Sequence, residues 1–312
     1  MIHKRLVCAA AVLFVVAAGG GAQASLLVDE GFSSSVTYTS GTSISGLNGG
    51  TGFATGTSGN WALSASGTQP TPTAVAVAGL SLGPDYVTHG DLAVQISFSI
   101  ASGQNGYVQR QLGVGSTSSE IWTSVLFKVN NGTDANYRAT SIEFNSSSPL
   151  LAVVHNSNGA AGHGAALVYN AAVIDAGPNR IDDGNNVYLL IQRVTGLGTA
   201  TTIGQYWALT AGEYTTLKGL GFTPTNLSGN CWQTASATYS GSTLPLLASP
   251  PDSLLIRGRG TVTWTEDEIR IGESALDIGL PEPATLALLG VGAGLSVIRH
   301  RRRRGDGGNS GQ

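Results

Sequence analysis

The clearest pattern along the chain is alternation. From Ala93 to Ile100, the apolar Val94, Ile96, Phe98 and Ile100 alternate with Gln95, Ser97 and Ser99, a period of two that predicts a strand with one buried face. Ile121 to Val129 alternates too, with Ile121, Val125, Phe127 and Val129 on one side, although Trp122 and Leu126 make the other side partly apolar. Shorter runs at Tyr137 to Phe144, Leu150 to His155, Ala166 to Ile174, Val187 to Val194, Gln205 to Leu209, Leu254 to Arg257 and Thr261 to Ile271 read the same way. Turn-forming clusters separate them, among them Asn130-Asn131-Gly132, Gly177-Pro178-Asn179 and Asp182 to Asn186. Many short strands without alternating helices or a long repeat predict an all-β fold, an antiparallel two-sheet jelly-roll sandwich with no helix outside the two ends of the chain.

The ends have different patterns. Lys4 and Arg5, the apolar Leu6 to Ala18 and the small-x-small Ala22-Gln23-Ala24 predict a secretory signal peptide over residues 1–24, cleaved before Ser25. Near the other end, Ala284 to Ile298 carries no formal charge and leads into Arg299, Arg301, Arg302, Arg303 and Arg304. As a helix this run spans roughly 22 Å, short of the ~30 Å hydrocarbon core of a bilayer, but snorkelling arginines extend it and hold its end on the cytoplasmic side. The predicted organisation is a β domain over 25–275, a linker over 276–280, a tail over 281–304 with a transmembrane helix at 284–298, and a disordered end at 305–312.

The tail resembles a known sorting signal. Pro281-Glu282-Pro283, then Ala-Thr-Leu-Ala-Leu-Leu-Gly, a Gly-rich apolar run and an arginine cluster are similar to the PEP-CTERM signal of Gram-negative bacteria. That resemblance implies recognition of Pro281, Glu282 and Pro283 by a membrane-embedded exosortase, after export through the secretion translocon and removal of the leader by signal peptidase. It also implies a transient stay in the inner membrane, then the cell surface or extracellular matrix. Two prolines one residue apart would keep Glu282 extended, where an enzyme can grip it.

Charge and cysteine content narrow the role of the body. Between Ser25 and Gly279 stand nine Lys and Arg against seventeen Asp and Glu, a formal −8. No basic face is available for phosphates, so nucleic acid is excluded as a partner. Cys8 falls within the leader, which leaves Cys231 alone in the body and rules out an internal disulfide.

The body carries a second resemblance. Asp29-Glu30-Gly31-Phe32, then Gly46-Leu47-Asn48-Gly49-Gly50-Thr51-Gly52-Phe53 and Trp61, look like the opening of concanavalin A/laminin G-like jelly rolls. Asn186 to Val194 is similar to their central strand, and Trp264-Thr265-Glu266-Asp267-Glu268-Ile269-Arg270-Ile271-Gly272 to their closing one. By alternation Ile269 and Ile271 face the core, and Glu268 and Arg270 share the outer face as an exposed ion pair worth less than about 1 kcal/mol.

Candidate chemistry is sparse. Gly79-Leu80-Ser81-Leu82-Gly83 matches the G-x-S-x-G elbow, but Pro84 and Asp85 follow where a helix is needed. Glu266 and Glu268 are predicted to share a face with Asp267 pointing away, without the third acid that laminarinase-like hydrolases use. Asp182 and Asp183 offer oxygen ligands for calcium, although an acidic turn is more commonly just solvated; no other cofactor is expected. Five tryptophans are available to stack on sugars, with burial in the sandwich as the commoner use, and Trp232 is the candidate for exposure. No catalytic residue is assigned. The sequence predicts a non-catalytic surface or matrix protein that holds polysaccharide, with a polysaccharide-active enzyme on the same fold as the alternative.

Overall fold

The computed structural model describes residues 25–35, 37–101, 104–131, 138–143, 150–156, 166–169, 172–175, 181, 184–240, 244–247 and 252–281. The leader with Ala22 and Ala24, the pair Asp182 and Asp183, and the tail from Glu282 through Pro283 and the arginines to the end lie outside them. Among the described residues no helix is long and apolar enough to cross a membrane.

The fold is two antiparallel sheets packed face to face. The larger contains β1 (Leu26–Glu30), β3 (Thr73–Ala78), β4 (Leu92–Ile100), β6 (Glu120–Asn131), β11 (Tyr188–Thr195), β12 (Thr201–Leu209), β13 (Gln233–Ser240) and β15 (Gly260–Gly272). Its order is β13-β12-β11-β6-β15-β4-β3, with β1 on the β4 side of β15. The smaller runs β10-β9-β8-β7-β14-β5-β2, from β2 (Ala62–Ala65), β5 (Gly106–Gln111), β7 (Arg138–Glu143), β8 (Leu150–Asn156), β9 (Ala166–Tyr169), β10 (Ala172–Asp175) and β14 (Ser253–Gly258). The single run predicted over 166–174 is a hairpin, β9 paired with β10.

Between the sheets, Val94, Ile96, Phe98, Val125, Phe127 and Trp264 of the larger meet Val108, Leu254 and Ile256 of the smaller. The alternation in β4 and β6 therefore marks the core face, as predicted. Phe98 and Trp264 stack there with ring centroids 5.0 Å apart.

Among the described residues two α-helices stand inside the body, contrary to the expectation of none. The first, α1 (Ala211–Leu220), starts at Thr210, whose N–H donates to Glu213 Oε2 at 2.7 Å to close a capping box; α2 (Pro224–Asn230) has proline in its first turn. They cover the outer face of the larger sheet, where Tyr214, Leu217, Phe222 and Leu227 bury Trp122, Leu126, Leu189, Ile191 and Trp207. This third layer explains why β6 and β11 are apolar on both faces. Ile278 and Leu280, in the segment read as a linker, are buried in the same layer.

The closing strand departs from simple alternation. A bulge interrupts β15 between Asp267 and Arg270, with Glu268 at φ 52°. The pairing edge changes there too: residues up to Glu266 pair with β4, and residues from Ile269 pair with β1. Trp264 and Glu266 face the inter-sheet core, as do Ile269 and Ile271 beyond the extra residue, so Glu266 and Glu268 do not share a face. Glu268 and Arg270 do pair on the outer face, but 0% and 1% exposed, because the loop before β4 and the 275–280 turn cover them. The expected exposed ion pair is a buried one.

Candidate functional site

Among the described residues, two places that combine open space with polar side chains stand out. The first lies on the outer face of the smaller sheet. In β5, Val108 and Arg110 turn inward, so Tyr107, Gln109 and Gln111 turn outward. Strand register sets Ser64, Tyr107 and Arg257 in one row, Ala62, Gln109 and Leu255 in the next, and Gln111 beside Ser253. A short 3₁₀ turn over Gly56–Gly59 supplies Thr57 and Ser58, which with Asn60 form a wall. The result is a groove of about 480 Å³ with Leu255 in its floor.

Among the described residues lining this groove the only formal charge is Arg110, and its guanidinium is directed to the interior. There it meets Glu30, donates from Nε to Gly59 O at 2.9 Å and from Nη1 to Gly49 O at 3.0 Å, and lies 3.3 Å from the Phe53 ring centroid. Burial pushes the Glu30 carboxyl up, while Arg110 and hydrogen bonds from Tyr38 and Phe32 pull it back. The Gly-rich motif closes this knot. Gly52 has φ 86°, and a Cβ on it would lie 1.9 Å from Leu27 O. The opening motif is therefore structural, and the groove itself is lined by amides and hydroxyls that both donate and accept, with one aromatic ring, while Arg257 stands beside Tyr107 on the same face outside the lining.

The second place gathers residues far apart in sequence. Asp29 Oδ2 lies 2.7 Å from His89 Nδ1, and Asp29 Oδ1 lies 3.5 Å from Arg270 Nε. Glu268 bonds Arg270 and accepts from the backbone N–H of His89 at 2.6 Å and of Gly90 at 3.1 Å. Asp29, His89 and Glu268 bring ligand-type atoms within 4.8 Å of one another. Their charge is already answered by Arg270, which touches both carboxylates, so a metal ion would sit against a guanidinium. Sequence spacing gave no sign of this cluster, because strand pairing and one bulge assemble it.

The predicted site residues are dispersed. Trp232 is 38% exposed, while Trp61, Trp122, Trp207 and Trp264 are buried, but it follows α2 beside the larger sheet and does not line the groove. Ser81 is exposed, and its Oγ accepts from Gly83 N–H at 3.2 Å in a stretch that does not enter a helix. Glu266 is buried, accepting from Thr140 Oγ1 at 2.6 Å and Trp264 Nε1 at 2.7 Å, and burial raises its pKa to about 7. Asp267 is raised to about 8, again mainly by burial. Neither acid can face a polysaccharide. Cys231 is a free thiol.

No family model matches the chain, and no curated protein matches its sequence. Solved structures do. A carbohydrate esterase from the Shiga toxin-encoding bacteriophage phi24B is similar at 15% identity and TM-score 0.45, over 81% of this chain and 100% of that one. An endo-β-1,4-glucuronan lyase from the fungus Trichoderma reesei is similar at 10% identity and TM-score 0.40, over 70% and 92%. A xylan-binding domain from Paenibacillus barcinonensis is similar at 10% identity and TM-score 0.30, over 81% and 97%. Two of these three are enzymes, and this finding corrects the expectation of a body without activity.

Proposed function

We propose that the chain is an exported polysaccharide-directed protein that seats a neutral glycan in the groove across β2, β5 and β14. The observation that carries this reading is the groove's lining: Asn60, Ser64, Gln109 and Gln111 offer paired donors and acceptors to sugar hydroxyls, and Tyr107 offers a ring face. The esterase, lyase and xylan-binding domain named above agree with a carbohydrate role. On this reading the two sheets form a concanavalin A-like jelly roll. The tail is a PEP-CTERM sorting signal, with Pro281, Glu282 and Pro283 presented to exosortase at the outer face of the inner membrane, and the destination is the cell surface or matrix.

Affinity electrophoresis in gels containing xylan, a neutral β-glucan or polyglucuronate tests the groove. A neutral polymer is expected to retard the protein, and Tyr107→Ala with Gln109→Ala to abolish the retardation; retardation by polyglucuronate alone, or unaffected by both substitutions, overturns the assignment. For the tail, Glu282→Ala is expected to leave uncleaved precursor in the inner membrane, read by fractionation and mass. Processing that continues unchanged rejects the sorting signal.

A further inference from the structure

We propose that Asp29 and His89 form a general-base dyad that hydrolyses a short acyl ester. This goes beyond the polysaccharide reading and does not depend on it, since the dyad belongs to the larger sheet and the groove to the smaller. A carboxylate oxygen only accepts, so at the 2.7 Å contact with Asp29 Oδ2 the neutral imidazole carries its proton on Nδ1 and its lone pair on Nε2. The His89 side chain is 47% exposed, which leaves the ring open to solvent. Next to it lies a pocket of about 210 Å³, bordered by Asp29, Gly31, Ser33, Gly50, Thr51 and His89, with room for a small acyl group and a water.

The surroundings hold the dyad in place. Glu268 grips the backbone at His89 and Gly90 and reaches Arg270, Arg270 reaches the second oxygen of Asp29, and Asp29 returns to the imidazole. Gly90 presses so closely on Gly31 that a Cβ there would lie 1.4 Å from Gly31 O. Among the described residues, two non-glycine residues have positive φ, Phe32 at 45° and Glu268 at 52°. Phe32 borders the pocket and Glu268 carries the His89 loop. Backbone strain of this kind costs on the order of 1–3 kcal/mol per residue and persists where the surroundings impose it, often at functional sites.

Chemistry selects the reaction. Glycoside cleavage needs an acid to protonate the leaving oxygen and a facing carboxylate, whereas water attack on an ester needs one base. Nε2 takes a proton from water as the water oxygen bonds to the ester carbonyl carbon. The tetrahedral adduct collapses, its bond to the alkoxy oxygen breaks, and the same proton passes from Nε2 to the departing alkoxide. An acid and an alcohol leave, and the imidazole is neutral again. His89 is the catalytic residue, and Asp29 is a positioning residue.

The test uses the full-length chain and p-nitrophenyl acetate. Multiple turnovers faster than those of an equal concentration of free imidazole are expected. His89→Gln should lose roughly a hundredfold or more, His89→Ala should regain activity with added imidazole, and Asp29→Asn should lower kcat with KM unchanged. Ser81→Ala should change nothing. Circular dichroism establishes that each variant is folded. Hydrolysis no faster than free imidazole, persisting in His89→Gln, or lost in Ser81→Ala overturns the proposal; none of these outcomes bears on glycan retention in the groove.

Discussion

Asp29 and Glu30 are adjacent in β1, point to opposite faces and each meet a buried arginine, yet the two ion-pair knots are built differently. Glu30 faces the inter-sheet core, where Arg110 is 1% exposed and donates at 2.9 and 3.0 Å to two backbone carbonyls besides its carboxylate partner. Asp29 faces the outer layer, where Arg270 is equally buried but reaches Tyr86 Oη, Val87 O and Ile278 O only at 3.3, 3.4 and 3.5 Å. Bonds at those distances are weak. The inner knot is sealed around a satisfied guanidinium; the outer one pairs Arg270 tightly with Glu268, reaches Asp29 at 3.5 Å, and ends in an imidazole that water can reach. Satisfaction is what a structural ion pair needs, and an unfilled valence beside a pocket is what chemistry needs.

The largest break in this comparison should come from Arg110→Met, which leaves the Glu30 carboxylate buried without its partner. A loss of about 3–5 kcal/mol is expected from urea unfolding, and a loss under 1 kcal/mol would show that the inner knot is not structural. Next is pH on the same sealed side. Because the native pKa of Glu266, about 7, lies above its unfolded value of 4.5, its contribution is fully present below pH 4.5 and lost as pH rises through about 7. Unfolding measured at pH 4.5 and pH 8 should show Glu266→Gln removing roughly 3 kcal/mol of that decline. Arg270→Met leaves Glu268 buried without its cation, although the backbone N–H groups of His89 and Gly90 still donate to it, so a cost of about 3 kcal/mol is expected by thermal unfolding; a cost under 1 kcal/mol would show that the outer knot is not structural. The smallest effect is expected from Asp29→Asn, about 1 kcal/mol or less in the same measurement, since Asp29 is partly solvated.

β4 was legible in the sequence because its second face carries Gln95, Ser97 and Ser99 and leaves a period of two, whereas in β6 Trp122 and Leu126 blur the alternation because its outer face is covered as well. The double-sided burial of β11 was not legible, since Leu189-Leu190-Ile191 gives no hint of what lies on each side. In α1, Gly212, Gly219 and two threonines weaken any helical pattern, and only the spacing of Thr210 and Glu213 marked its start. β5 was hidden because Arg110, an inward position, reads as a surface residue. The bulge at Glu268 inverted the predicted facing of Glu266 and Asp267 and left Glu268 on the outer face, a one-residue insertion that periodicity cannot register. The Asp29 and His89 contact joins positions 60 apart, and only the folded backbone brings them together.

Leu280 is 1% exposed, so the body stays anchored to its own core up to the residue before Pro281. If the run from Ala284 enters the bilayer, Pro281, Glu282 and Pro283 are the whole leash, at most ~10 Å when extended. A domain moored that tightly rides flush against the lipid headgroups. A cutting enzyme would have to slide between fold and membrane, or wait for the last turn of the body to peel away.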